Sequence, residues 1–400
     1  MLGRRTFITS AVAAAAGIGV VGLELDRRRA DAATRPEDAP FGAAAEGGLP
    51  LVLVNHTNRY RNADVLLYIV GTDLATGNQG YVTRQGELRP VSMDLNGSAG
   101  WADLSIPLAA DGDTTVKLPR MSGRVYVSIG EKLRFKVVSD GAGRPALQYP
   151  AAWVESDPSF RVLHDCMEFT HNAGGMFCNT TTVDMLSVPM EIRLKGAKDQ
   201  TTGTLVTGGR KRIFEAIAAS PGFERLVVDD LRVLAPGHGL DAGRFSSTYL
   251  DSEIARTWDA YTGRDLVVDT GNGKKYTGRV RDGVFQFSDG AKAVQRPSTR
   301  DVLFCDGALQ APNDGVNGPI RAILGAGLNR SVLTDHPNQP VTDPGLYYKR
   351  STTNHYARVM HENTVDRHAY GFAFDDVCSL ASYVEDSAPA SLTLRLTPFG

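Results

Sequence analysis

Residues 166–185 read CMEFTHNAGGMFCNTTTVDM and place two carboxylates, Glu168 and Asp184, among neutral hydrogen-bonding groups. Paired carboxylates are the minimum equipment for hydrolysing a glycosidic bond. One must carry a proton for the leaving oxygen; the other must be ionised, to activate water or to attack. Thr170, Asn172, Asn179, Thr180 and Thr181 supply uncharged donors and acceptors, which suit sugar hydroxyls. The residue pattern by itself also fits a pair of solvated surface acids.

Holding such a pair in place takes a sheet. FRVLHDCMEFTHN alternates as a strand does, so Glu168, Thr170 and Asn172 point to one face. Gly174-Gly175 reads as a turn or bulge. VDMLSVPMEIRL then alternates again, with Leu186, Val188, Met190, Ile192 and Leu194 as its apolar face and Asp184 in phase at the leading end. A carboxylate in the phase of a core face is costly unless it is hydrogen-bonded or opens to a cleft. The expectation is that Glu168 and Asp184 lie on adjacent strands and face one concave surface.

The chain has 400 residues, enough for two domains. Its 42 glycines favour turns and β-structure over long helices. LPLVLVNHT, DVLLYIVGTD, TTVKLPR and GRVYVSIGEKLRFKVV are short β-branched runs between turn signals, as in an antiparallel sandwich or barrel. Beyond Gly196, KRIFEAIAAS, SEIARTWDAY, GPIRAILGAGLN and TTNHYARVMHEN carry apolar residues at helical spacing. RLVVDDLRVL, DLVVDT and the hairpin YTGRVRDGVFQFSDG lie among them as strands. AYGFAFDDVC and ASLTLRLTPF return to β character. The fold class is mainly β with α/β: a β-sandwich or barrel domain over 49–196 together with 366–400, and a mixed α/β domain over 197–365.

The start predicts an export signal. Arg4-Arg5, followed by Thr6, Phe7 and Ile8 and an apolar run from Ala11 to Leu23, has the layout of a twin-arginine signal peptide over residues 1–32. Ala30-Asp31-Ala32 offers a small-x-small cleavage site, and residues 33–48 form a polar lead-in. The apolar run is short beside the ~20 residues of a membrane span, so the competing reading as an uncleaved anchor is the weaker one. Cleavage takes away five arginines and three acids and moves the formal charge from −2 to −4. That mild acidity offers no basic stripe for nucleic acid. The expected product is an exported bacterial monomer with no membrane attachment.

Four cysteines without a CxxC argue for disulfides rather than zinc in an exported chain. Cys166 with Cys178, and Cys305 with Cys378, is one possible pairing, though spacing alone leaves the connectivity open. His355, His361 and His368 invite a metal reading, but HENTV lacks the second histidine of HExxH. No metal and no cofactor are expected. No GxSxG elbow and no P-loop appear.

MEFTHNAGGMFCNTTTVDMLSVPMEIRL resembles the signature segment of glycoside hydrolase family 64, the bacterial β-1,3-glucanases that release laminaripentaose. The EFT core, the GG turn, N-x-T, and VD before an apolar strand carry the likeness. GRVYVSIGEKLRF and AYGFAFDDV extend it over most of 50–400. The resemblance implies a thaumatin-like β domain beside a mixed α/β domain, with a wide open groove between them. It implies an inverting endo-type enzyme acting on laminarin- or curdlan-type β-1,3-glucan, with Glu168 as general acid and Asp184 as general base, their carboxyls ~6.5–9.5 Å apart. Thr170, Asn172 and Thr181 match glucan-contacting positions. Asp375 and Asp376 resemble the acidic cleft wall of thaumatin-like proteins, the alternative being that they merely end a strand, and Tyr126 and Lys132 lie on a strand pair whose family counterpart borders the groove. Where the family carries GG-x-W, this chain has Phe177, which can stack on a pyranose over less area and without an indole N–H. The alternative is a non-catalytic β-1,3-glucan-binding thaumatin-like protein; a third reading is a surface protein whose acids are incidental.

Overall fold

The computed structural model describes residues 48–400. The signal peptide read over 1–32 and residues 33–47 of the lead-in lie outside the described residues. Strand outweighs helix, 31% against 20%, so the chain is mainly β. Among the described residues no helix is long and apolar enough to cross a membrane.

Two sheets share one core. The five-stranded sheet runs in the order Asp199–Thr202, Met190–Lys195, Ser391–Leu396, Leu49–Asn55, Thr114–Leu118. Its central strand comes from the end of the chain and lies parallel to Leu49–Asn55, with Leu51 opposite Leu392 and Leu53 opposite Leu394. The larger sheet runs Tyr383–Asp386, Gly175–Asn179, Leu163–Asn172, Met121–Ile129, Val65–Asp73, Gln79–Val82, Leu88–Pro90. Ile106–Pro107 also pairs with Val65–Asp73. Leu51, Ile192 and Leu394 of the first sheet pack with Leu67, Val125, Met167 and Phe169 of the second. Each such side chain, fully buried, stabilises the fold by about 1.5–3 kcal/mol.

That layer decides which way the larger sheet faces. With Met167 and Phe169 in the shared core, Glu168, Thr170 and Asn172 must project from the opposite face. A slip of one residue would turn the acid into the shared core and the apolar set out of it, so the packing of Phe169 holds Glu168 where it is.

A second core gathers the helices Gly209–Ala218, Asp251–Gly263, Asn317–Asn329 and His355–Glu362, through Ile213, Ile217, Trp258, Ile320 and Val359. All four follow the helical spacing of the sequence. Pro236–Asp241 and Thr299–Phe304 are two further helices, each too short to show a period. Trp153, Phe160, Met185 and Leu186 also enter this core.

Three expectations are corrected. VDMLSVPMEIRL is not one strand: Met185–Leu186 pairs with Arg232–Leu234, while Met190–Lys195 belongs to the five-stranded sheet. Pro189 has no N–H for a ladder, and the N–H groups of Ser187 and Val188 donate to Asp165 Oδ2 at 2.7 and 3.1 Å. Asp184 therefore does not lie on a strand adjacent to Glu168. AYGFAFDDVC is not a strand either. Tyr370, Phe372, Ala373 and Phe374 are buried without alternation, and turns close where Gly371 N–H donates to Asp375 Oδ2 at 2.9 Å and Asp375 N–H to Phe372 O at 3.0 Å. The C-terminal pairing to this sheet comes from Tyr383–Asp386. Lastly, all four cysteines are free. Cys166 packs with Tyr126 and Phe135 on one face of the sheet and Cys178 with the core on the other, so their thiols point apart. The thiol of Cys305 is directed at Val302 O and that of Cys378 at Val341 O.

Gly175 tests the edge pairing. Its φ is +127°, and a Cβ there would stand 2.1 Å from the carbonyl oxygen of Asp386. Gly175→Ala is expected to lower stability by about 2 kcal/mol or more, seen as a shift in the urea midpoint. An unshifted midpoint would contradict the pairing of Met176 with Asp386.

Candidate active site

Register brings the first charges together. On the face opposite the shared core, Glu168 stands across from Arg124 on one neighbouring strand and Asn179 on the other. Thr170 stands across from Ser122 and Phe177. Side chains so opposed have Cβ atoms ~4.5–5.5 Å apart. Arg124 Nε and Nη2 donate to Glu168 Oε1 at 3.1 and 2.9 Å. The Asn179 amide donates to Glu168 Oε2 at 3.5 Å.

The same guanidinium reaches the second acid. Arg124 Nη1 is 3.3 Å from Asp184 Oδ2 and donates to the Tyr126 hydroxyl at 3.3 Å. Glu168 and Asp184 are only 6% and 7% exposed, so whichever of them is ionised needs a cation beside it, and Arg124 reaches both. Burial works against the charge on Arg124, but its interactions with Tyr126, Asp184 and Glu168 prevail and hold its pKa well above the usual value. One guanidinium touching both acids also caps their separation. With C–N bonds of about 1.33 Å, the two bonded oxygens stand no more than about 9 Å apart. The cap leaves room for the ~6.5–9.5 Å at which a water fits between acid, base and sugar.

Asp184 arrives from outside the sheet, and two contacts set its place. Its backbone carbonyl accepts from Ala235 N–H at 3.0 Å, and its Oδ1 lies 3.0 Å from His238 Nε2. The following residues hang on Asp165, one position beyond the start of the Glu168 strand's buried run, through the Ser187 and Val188 N–H groups. Asp165 Oδ1 takes Cys166 N–H at 2.9 Å. Burial pushes the Asp165 carboxyl up to about 7, against these donors and the charge of Arg232.

The remaining residues singled out from the sequence fall in different places. Thr170 Oγ1 is bonded to Ser122 Oγ at 2.8 Å and is half-buried beside Phe177. Phe177 lies within its strand, not in the turn, and its ring passes over Gly174. Asn172 Oδ1 accepts from Gly174 N–H at 2.8 Å and so shapes the turn. Thr181 lines a small cavity of about 30 Å³ with Thr180, Thr182 and Asp165. Tyr126 is buried in an aromatic cluster with Phe135, and only its hydroxyl meets Arg124. Lys132 is removed from the acids, in an exposed pair with Asp103. Asp376 is half-buried, and with Glu168 it helps burial to raise the pKa of the Tyr370 hydroxyl well above the usual value.

Asp375 corrects the expectation of an acidic groove wall. It is fully buried, 3.0 Å from both Arg330 Nη2 and His361 Nε2. A carboxylate without exposure organises its own loop and cannot meet a polysaccharide. His361 is thereby spoken for. His355 approaches Ser351 O and His368 pairs with Asp366. Among the described residues no group of three His, Cys, Asp or Glu side chains converges for a metal.

Two residues central to the site, Arg124 and His238, were missed in the sequence. Arg124 sits in the polar phase of RVYVSI, where a charge looks solvated until the opposite strand is known. His238 stands between two glycines in PGHGLD, a spacing that signals close packing but names no partner.

The Glyco_hydro_64 family model, described as Beta-1,3-glucanase, matches residues 47–396. Proteins named glucan endo-1,3-beta-glucosidase from Cellulosimicrobium cellulans and Arthrobacter sp. (strain YCWD3) are each 37% identical, over 298 and 299 residues. Each alignment covers 71% of this chain and 54% of the relative, so the chain spans about half the length of the curated relatives it matches. The crystal structure of a laminaripentaose-producing β-1,3-glucanase in complex with laminaritetraose superposes with a TM-score of 0.81 at 34% identity, covering 89% of this chain and all of that one. A β-1,3-glucanase domain from Clostridium beijerinckii superposes with a TM-score of 0.77 at 25% identity, again over 89% and 100% of the two chains.

Two tests follow from the electrostatics. Arg124→Met strands two buried carboxylates and is expected to lower stability by about 3 kcal/mol. Adding Glu168→Gln should return part of the loss, giving a coupling of about 1 kcal/mol or more in a double-mutant cycle by urea unfolding. Asp165 governs a pH slope. With its pKa about 7 folded and about 3.9 unfolded, the folded chain holds the extra proton between those values. Stability should therefore fall as pH rises from 4 to 7, by at most about 1.4 kcal/mol per unit from this group. In Asp165→Asn that component of the slope should vanish from thermal melts taken across the window.

Proposed function

Because the chain belongs to the Glyco_hydro_64 family of β-1,3-glucanases, we propose that it is an exported, inverting endo-type β-1,3-glucanase. Its substrate is a laminarin- or curdlan-type glucan, cut to short oligosaccharides such as laminaripentaose. The observation that carries this reading is the pair of buried carboxylates, Glu168 and Asp184, held on either side of one guanidinium.

The division of labour follows from what inversion needs. Glu168 gives its proton to the departing glycosidic oxygen. Asp184 takes a proton from water as that water attacks the anomeric carbon from the opposite side. Arg124 stabilises the negative charge that appears on Glu168 as its proton leaves. Thr170, Asn172, Phe177, Thr181 and Asp376 offer sugar contacts, Phe177 by stacking on a pyranose face. The face of the larger sheet that bears Phe177 and the helical part form the two walls of an open groove. In this reading the β part, 49–196 with 366–400, is thaumatin-like, and 197–365 is the mixed α/β part. The enzyme acts as a monomer after twin-arginine export.

Glu168→Gln and Asp184→Asn are each expected to lower reducing-end release from laminarin by about 10²- to 10⁴-fold. Anomeric NMR of the first products should show inverted configuration. Wild-type rates in both variants would sink the assignment of roles. Glucan pull-down without product over long incubation would favour the non-catalytic binder, which the smaller Phe177 ring makes the natural competitor.

A further inference from the structure

One buried titratable side chain beside the acids has no part in the chemistry above. His238 is 1% exposed and is the third residue of the helix Pro236–Asp241. Its Nε2 lies 3.0 Å from Asp184 Oδ1, and its Nδ1 lies 3.8 Å from Asp241 Oδ2. Asp241 Oδ1 in turn accepts from Arg300 Nη1 at 2.5 Å. The four groups form a line from the acid pair to the surface, where Arg300 is half exposed.

The ring is gripped as well as bonded. Trp153 stacks on it with centroids 3.9 Å apart and planes 15° from parallel, and Phe304 meets it edge-on at 5.4 Å. The glycines on either side let the helix press this close. A Cβ on Gly237 would stand 3.0 Å from the Phe304 ring, and one on Gly239 2.2 Å from Leu226 Cδ2. Ala235, at the mouth of the same helix, holds the Asp184 backbone. Both the main chain and one oxygen of Asp184 are therefore fixed by a single short segment.

We propose that His238 is the positioning residue for the general base: it occupies Asp184 Oδ1, so that Oδ2, beside Arg124, is the oxygen presented to the attacking water. The proposal rests on the glucanase reading. Asp184 faces the histidine from the site, with Arg124 on its other oxygen, and Asp241 faces it from its own helix, with Arg300 behind; Trp153 and Phe304 bring no charge. Burial pushes His238 toward the neutral form, but its contacts with Asp184 and Asp241 prevail and its pKa is raised. The cation this favours supports an ionised Asp184.

The test uses the full chain on linear β-1,3-glucan. His238→Phe keeps a ring for Trp153 and Phe304 but removes the donor and the charge. It should lower kcat by about 10- to 100-fold, as a misplaced catalytic group does, with KM within about twofold. The acid limb of the kcat–pH profile should move upward, because a positive neighbour of Asp184 is gone. His238→Gln, which restores a donor without charge, should recover kcat in part and keep the moved limb. Should the Phe variant not fold, the limb in the Gln variant decides. An active wild type whose limb is unmoved in the folded variant overturns the His238 assignment and leaves the glucanase reading intact. A wild type that releases no product overturns both.

Discussion

A single guanidinium between two buried carboxylates is the constraint around which this molecule is arranged. Glu168 and Asp184 are both nearly enclosed, and a carboxylate ionised in that setting needs a cation beside it. Arg124 supplies the cation because its strand lies directly across from Glu168. Each acid then keeps a second partner of its own, Asn179 for Glu168 and His238 for Asp184. The acids are held apart and held still by groups that belong to different strands and helices.

The two sheets serve this arrangement through alternation. Phe169 and Met167 are locked into the layer shared with the five-stranded sheet, so the residues between and beyond them have one direction left to face. Glu168 is accurate because its neighbours are insoluble. Asp184 is placed by other means. The alternating segment that follows it is broken after Leu186 by Pro189 and by the pull of Asp165 on two backbone N–H groups. The break releases Asp184 from the sheet and hands it to the loop before the Pro236–Asp241 helix. A continuous strand would have put a carboxylate in the phase of the core.

Much of this could be read along the chain. The alternation of FRVLHDCMEFTHN predicts the face of Glu168, and the helical spacing around Ile213, Trp258, Ile320 and Val359 predicts the four long helices. Strand alternation failed where local pattern and local structure part company. VDMLSVPMEIRL alternates as well as any strand, yet its break depends on Asp165, about twenty residues upstream. AYGFAFDDVC is rich in aromatic residues because all of them are buried in turns, a circumstance that composition does not distinguish from a strand. Cys166 and Cys178 flank a hairpin, as a disulfide pair would, but the parity of their positions in the register sends their thiols to opposite faces.

By itself, then, the sequence determined the mainly β character, the long helices, and the two acids with the chemistry they are suited to, because these follow from residue type and short-range period. Only the tertiary structure decided that Asp375 is an internal anchor for Arg330 and His361 and not a wall of the site. It also decided that Arg124 and His238 belong to the acid pair. The reason is the range of the interaction. Arg124 and Glu168 are 44 residues apart and Asp184 and His238 are 54; charges at such separations meet only when register and packing bring their strands and helices together.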